Sequence, residues 1–270
     1  MSKRVAAFVI IAGLMAAAPL RAVSFKATMS SIKLDARPGQ VLTSAFRITV
    51  DEGQPATRFK VRMEDWWRSE DGKQSFYAEP GKLSRSCGQW VTTNPVEAVA
   101  QPGEPLTIRL TVAVPRDAAP GGFWCVLTLD EVPDPRQVMD GVGMKFLAST
   151  SSGIFIYLSP LERQASITDL RIQDAAAVVT LRNGGNTPLG IEGRFEFVKP
   201  GESVPTATVK LARGSLLTEP VVTGQFAAPL PDAATLPSGH YVIRAIIDYG
   251  VDHYIGAQRE VDLQRAPPTP

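Results

Sequence analysis

Leu106-Thr107-Ile108-Arg109-Leu110-Thr111-Val112-Ala113-Val114 is the stretch that decides the fold class. Every even position carries a β-branched or leucine side chain, and the odd positions carry Thr, Arg, Thr and Ala. A period of two sends the two sets to opposite faces, which predicts a strand with one face in a core. The same grammar extends outward in both directions. Upstream, Arg58 to Trp66 alternates, with Phe59, Val61, Met63 and Asp65 on one side and Lys60, Arg62 and Glu64 on the other. Phe25 to Leu34 reads as one strand that ends at the turn Arg37-Pro38-Gly39-Gln40. Val41 to Val50 reads as the next, stopped by Asp51-Glu52-Gly53. A short strand or edge sits at Trp90 and Val91. Downstream, Phe123 to Val132 is the most apolar strand, and Met144 to Leu158 closes this half.

Turn signals recur about every 8–15 residues, the spacing of short strands, and Gly and Pro contribute 22 residues each to the 270. No amphipathic helix separates the strands, so folds built from βαβ units are disfavoured. Ser159-Pro160-Leu161-Glu162 reads as a junction, after which the rhythm repeats. Strands are expected at 165–172, 176–181, 190–198, 206–211, 221–226, 240–249 and 254–263, with Asn183-Gly184-Gly185-Asn186 turning the second of them. The fold class is therefore all-β: two immunoglobulin-like β-sandwich domains, 23–159 and 160–264, followed by a Pro-rich tail at 265–270.

Residues 1–22 read as an N-terminal signal peptide. Lys3 and Arg4 precede an apolar run from Val5 to Leu20, and Leu20-Arg21-Ala22 offers a small residue at a cleavage site. The run is shorter than the roughly 20 residues a membrane span needs, and Pro19 and Arg21 end it. The expected location is the periplasm or cell surface, with no integral membrane segment after cleavage. Removing Lys3, Arg4 and Arg21 from the 28 basic residues leaves 25 against 27 acidic ones. That balance argues against nucleic acid as a partner. Export to an oxidising compartment lets Cys87 and Cys125 form a disulfide, against the alternative of two separate buried thiols.

No catalytic constellation emerges. A nucleophile elbow, a P-loop, a dinucleotide fingerprint and a metal-ligand cluster are all missing from the sequence, so no cofactor and no metal are expected. His253 with Asp248 and Asp252 reads as a solvated turn. Glu64/Asp65 and Asp130/Glu131 are sequence neighbours, which a strand points to opposite faces, so neither pair can flank one substrate bond.

The two-sandwich exported layout resembles the periplasmic pilus-assembly chaperones of the chaperone–usher pathway. Leu129-Asp130-Glu131-Val132-Pro133 is similar to that family's late strand ending. Gly143 to Pro160 is similar to the next strand and hinge, and Leu181-Arg182-Asn183 through Thr187-Pro188 to its Asn-x-Thr-Pro turn. The resemblance implies a chaperone that lends a strand to a fibre subunit lacking one, pairing its backbone with the open sheet edge and filling the apolar groove. Val142, Met144, Phe146 and Ala148 share one face and are the candidate donor residues; an ordinary last strand facing its own core is the plainer reading of the same pattern. The family anchors its client's terminal carboxylate with two basic residues, and Lys26, Lys33 and Lys145 are the candidates here. The sequence departs from the family where the second is expected, since 150–153 reads Thr-Ser-Ser-Gly, and Thr128 replaces the usual Asn.

The function so implied is the binding and capping of surface-fibre or coat subunits by strand donation, with an outer-membrane usher as a further partner. A second reading, an envelope module that binds glycan or peptidoglycan, rests on the aromatic cluster Trp66, Trp67 and Tyr77 and the Asn183–Asn186 turn.

Overall fold

The computed structural model describes residues 24–28, 31–133 and 147–264, and they form two β-sandwiches. The first contains β1 (Phe25–Ala27), β2 (Ser31–Ala36), β3 (Val41–Val50), β4 (Thr57–Arg68), β5 (Gln74–Tyr77), β6 (Val91–Asn94), β7 (Glu97–Ala100), β8 (Leu106–Ala113), β9 (Gly121–Glu131) and β10 (Ser149–Leu158). One sheet runs β1-β3-β8-β6. The other runs β2-β10-β9-β4-β5, with β7 also paired to β4. The second sandwich contains β11 (Ala165–Gln173), β12 (Ala176–Asn183), β13 (Leu189–Val198), β14 (Ala207–Leu216), β15 (Thr223–Pro229), β16 (Gly239–Asp248) and β17 (Ile255–Leu263), in sheets ordered β11-β12-β15 and β14-β13-β16-β17.

Alternation does what the sequence predicts. Ile108, Leu110, Val112 and Val114 are buried against Phe46, Ile48, Phe59, Leu127 and Ile156 in the first core. Phe195, Phe197, Tyr241, Ile243, Ala245 and Ile247 build the second. The candidate thiols form the disulfide Cys87–Cys125, with Cα atoms 5.3 Å apart and both residues fully buried. It ties β9 to a 3-10 turn at Gly88–Trp90.

One strand reading is corrected. Phe25 to Leu34 is not a single strand: β1 pairs antiparallel with β3 in one sheet, whereas β2 pairs parallel with β10 in the other. The chain thus changes sheet along one edge of the sandwich, at residues beyond the reach of a periodicity argument. Short edge strands β5 and β7 also escape that argument. Each spans four residues on the margin of β4, with Phe76, Tyr77, Val96 and Val99 exposed beside or within them.

The alternation fails informatively at β9, where every residue from Gly121 to Glu131 except Asp130 is buried. Phe123, Cys125, Leu127 and Leu129 face the first core. Trp124 and Val126 point the other way and join Trp66 and Leu83 around Leu217 of the second sandwich. The indole N–H of Trp124 donates to the Trp66 carbonyl at 2.8 Å. The second sandwich therefore covers part of the outer face of the first. Gly122 N–H donates to the Asn186 carbonyl across this joint at 2.8 Å. A side chain at Gly122 would stand 2.5 Å from Thr187 Oγ1 and from the Pro188 ring, so only glycine permits this approach.

The disulfide closes a 38-residue separation, for which chain entropy alone gives about 4 kcal/mol of stabilisation. The double variant Cys87→Ala/Cys125→Ala should lose about 2–4 kcal/mol in urea melts. A loss below about 0.5 kcal/mol would show that the bond adds nothing to what packing already fixes.

Candidate functional site

The sheet margin at the start of β10 is the candidate site. β10 pairs with β9 over its whole length, from Ser149 opposite Asp130 to Leu158 opposite Gly121. β2 pairs only with its second half, Gly153 to Leu158. Among the described residues no strand pairs with Ser149, Thr150 or Ser151 on the side away from β9. Among the described residues, this stretch of main chain is the rim of the sheet.

A polar ladder supports the outer face behind this rim. Arg62 lies at its centre, with Nε donating to Asp130 at 2.6 Å and an Nη to Glu64 at 2.8 Å. Ser149 Oγ donates to Asp130 at 2.8 Å, and Thr128 Oγ1 donates to Glu64 at 2.5 Å. Thr128 and Ser151 hydroxyls lie 3.0 Å apart. The hydrogen bond to Asp130 raises the Arg62 pKa most; burial opposes it and Glu64 adds to it. For Asp130, burial pushes the pKa up, but hydrogen bonds from Arg62 and Ser149 together with nearby positive charge carry it below the usual carboxylate value. Arg62 is thus already committed to two carboxylates, and the ladder fixes the start of β10 through its serines.

The described core-facing side of the same end is held by Glu131. Its carboxylate accepts the Ala148 N–H at 3.1 Å, while its own N–H donates to the Ala148 carbonyl at 2.9 Å. Of the candidate donor residues, Ala148 is described, and it is partly buried. Val142, Met144 and Phe146, with the candidate anchor Lys145, lie outside the described residues.

The two remaining candidate anchors are separated by the sheet change. Lys26 sits on β1, exposed, with its ammonium 3.7 Å from Asp51. It is on the sheet opposite the rim, which removes it from a shared clamp with β10. Lys33 sits on β2 in register with Phe155. Its neighbour Ile32 packs on the first core, so Lys33 occupies the outer face, beside the joint. Lys33 is exposed.

Two functional readings of the sequence change with the geometry. Trp66 is buried with Leu217, and Trp67 is partly buried against the same cluster, so they do not form an exposed aromatic row with Tyr77. The Asn183–Asn186 turn is occupied by contacts within the chain. Buried Asn183 donates to the carbonyls of Thr187 and Leu216, and Asn186 binds Pro160 and the Glu162 N–H. His253 contacts Tyr249 and Asp252 at an exposed turn. No group of His, Cys, Asp and Glu suited to a metal is present among the described residues. None of their helices is long and apolar enough to cross a membrane.

The site residue that sequence reasoning missed is Asp65. It lies on the apolar side of β4 and is fully buried. Its carboxylate accepts the N–H groups of Gly81, Lys82 and Leu83 at 2.9, 2.7 and 3.0 Å, and the Ser86 hydroxyl. A carboxylate on the greasy face of an alternating strand was the available signal, since such a group must find donors.

With that geometry in place, the chain can be compared with solved structures. The fold is that of the fimbrial chaperones. The class 5 fimbriae chaperone CfaA superposes with a TM-score of 0.51 at 13% identity, over 89% of this chain and 100% of that one. A chain from a chaperone–tip adhesin complex of CFA/I fimbriae biogenesis superposes with a TM-score of 0.50 at 12% identity, over 88% and 98%. In sequence, no protein-family model and no curated protein matches the chain.

Asp65→Asn should cost about 2–3 kcal/mol in urea melts and speed amide exchange at 81–83, because an amide presents one acceptor atom and adds two donors where four donors converge. An unchanged melt would remove the organising role. Asp130 acts in the opposite pH direction from a base. Its folded pKa is depressed, so its stabilisation is complete above the unfolded value of about 3.9 and is lost as pH falls through the folded one. Asp130→Asn should destabilise by about 1 kcal/mol at pH 7. The gap to the parent should shrink as the pH is taken below about 4, and a pH-independent gap would contradict the ionic role.

Proposed function

We propose that this chain is an exported, non-enzymatic chaperone that binds and caps subunits of a surface fibre or coat by lending them a strand. The observation that carries this reading is that, among the described residues, β2 pairs with β10 only from Gly153 to Leu158 and no strand pairs with Ser149 to Ser151 on the side away from β9. In sequence, that rim follows directly on the alternating apolar run Val142, Met144, Phe146 and Ala148. An open edge supplies hydrogen bonds, and alternate apolar side chains supply pockets' worth of burial and register. The polar ladder and Glu131 hold the end of β10 in place, which lowers the ordering cost of offering it.

The fold shared with CfaA and with the chaperone of a tip-adhesin complex supports the choice of client class. Residues 1–22 as a signal peptide place the work in the periplasm, where an outer-membrane usher is a further partner, and the two sandwiches divide as 23–159 and 160–264. Lys33, on the outer face in register with Phe155, is the cation we assign to a client's terminal carboxylate. Lys26 has its own partner in Asp51.

The test is co-expression with a fimbrial subunit that lacks its last strand and recovery of the complex from periplasm. Met144→Asp/Phe146→Asp should abolish recovery while leaving the urea midpoint unchanged. Recovery at parental yield would sink strand donation. Lys33→Ala should weaken binding a few-fold at low salt, with the difference closing near 1 M salt, as expected of an exposed ion pair.

A further inference from the structure

We propose that the outer face of the sheet β1-β3-β8-β6 binds an acidic polysaccharide, held by Arg47 and Arg109 with the threonine hydroxyls beside them. This sheet is not the one that carries the rim, so the proposal stands apart from strand lending.

The sheet is chemically one-sided. Its strands are Phe25–Ala27, Val41–Val50, Leu106–Ala113 and Val91–Asn94, and none of them contains Asp or Glu. The other three sheets all carry carboxylates, among them Asp130, Asp169 and Glu196. Three strand arginines elsewhere each meet a carboxylate two residues along their own strand: Arg62 with Glu64 at 2.8 Å, Arg171 with Asp169 at 2.6 Å, and Arg194 with Glu196 at 2.8 Å. Arg47 and Arg109 are placed differently. The residues two positions away are Ala45 and Thr49 for the first, Thr107 and Thr111 for the second. Both arginines are exposed, and among the described residues neither guanidinium has an ion-pair partner.

Register brings the two charges together. Arg47 lies opposite Thr107 and Arg109 opposite Ala45, so the arginines are diagonal neighbours on one face, roughly 7 Å apart. Like charges at that distance repel, and an anion between them removes the repulsion. Edge protection does not account for them. β3 and β8 are the inner strands of this sheet, whereas charges that guard against edge pairing belong on the outer ones. In the row beyond Arg109, Thr43 and Thr111 stand opposite each other, with Thr92 in line on β6.

The surroundings choose the ligand class. β3 and β8 pair without a register shift from Val41 to Ile48, so the face is a regular ladder along which a polymer of repeating charge can lie. Guanidinium forks match carboxylates, and hydroxyls both donate to and accept from sugar hydroxyls. A protein partner needs an apolar centre and a lipid surface needs apolar insertion, but Val41 is the one large apolar side chain exposed on these four strands. The chemistry is ionic and hydroxylic, with no aromatic platform.

The probe is polygalacturonate, a uronic acid polymer, with binding to the full chain measured by surface plasmon resonance. The parent should bind at low salt and release as the salt approaches about 1 M. Arg47→Gln/Arg109→Gln should weaken binding about tenfold at an unchanged urea midpoint. Arg182→Gln/Arg244→Gln removes the same charge from the second sandwich and should keep the parental affinity. Thr43→Val/Thr111→Val preserves shape and both arginines, and should weaken binding a few-fold. Equal losses in the two arginine pairs would mean that net charge alone attracts the polymer, and would overturn the site. Equal affinity for poly-L-glutamate would reassign the face to an acidic protein, and equal affinity for phosphatidylglycerol vesicles would reassign it to a lipid surface. A parent that ignores polygalacturonate at low salt would end the proposal.

Discussion

Strand β9 is covered on both of its faces, and the rest of the molecule is arranged around that constraint. A strand in a sandwich normally has one wet face, so polar residues alternate with apolar ones. Here Trp124 and Val126 occupy positions that would face water, and they are buried because the second sandwich brings Leu217 to them. The disulfide at Cys125 fixes the other face of the same strand to the loop that carries Ser84 and Arg85. Moving β9 would disturb the core, the joint and the neighbour of the rim together. The sheet pairs on either side of it, β10 and β4, are accordingly the most specified parts of the first sandwich.

Much of the fold is legible in the sequence because period-two alternation survives wherever one face is buried and one is wet. Leu106 to Val114 and Arg58 to Val61 behave this way. Legibility fails for three physical reasons. The change of sheet between β1 and β2 leaves no mark in alternation, because the apolar residues Phe25, Ile32 and Leu34 serve the same core from different sheets. β5 and β7 are held by main-chain pairing to β4 and bury little, so composition does not announce them. The run at β9 reads as very apolar, yet nothing in one strand says which second surface covers it.

The candidate site is legible to a similar degree. Which described residues of β10 lack a second partner follows from the register with β2, which is a matter of pairing and not of residue type. The cations were the weakest part of the reading, since a lysine's number says nothing about which sheet it will join. Lys26 and Lys33 are seven residues apart and lie on different sheets. Asp65 carried a signal that alternation makes visible, a carboxylate in an apolar row. Glu219 carried none, because its partners are the backbone and a hydroxyl of a loop 134 residues away.

The rim and the joint are mechanically related through the outer face of one sheet. Phe155 on β10 and Trp66 on β4 pack edge to face, with ring centroids 6.2 Å apart, on the margin of the joint core. Two residues before Phe155, Gly153 is in register with Ser31 of β2, and two residues before that, Ser151 meets Thr128 in the polar ladder. A strand added at the rim therefore lies along the side of the sheet whose other end is roofed by Leu217. Its length on that face is limited by where the second sandwich stands.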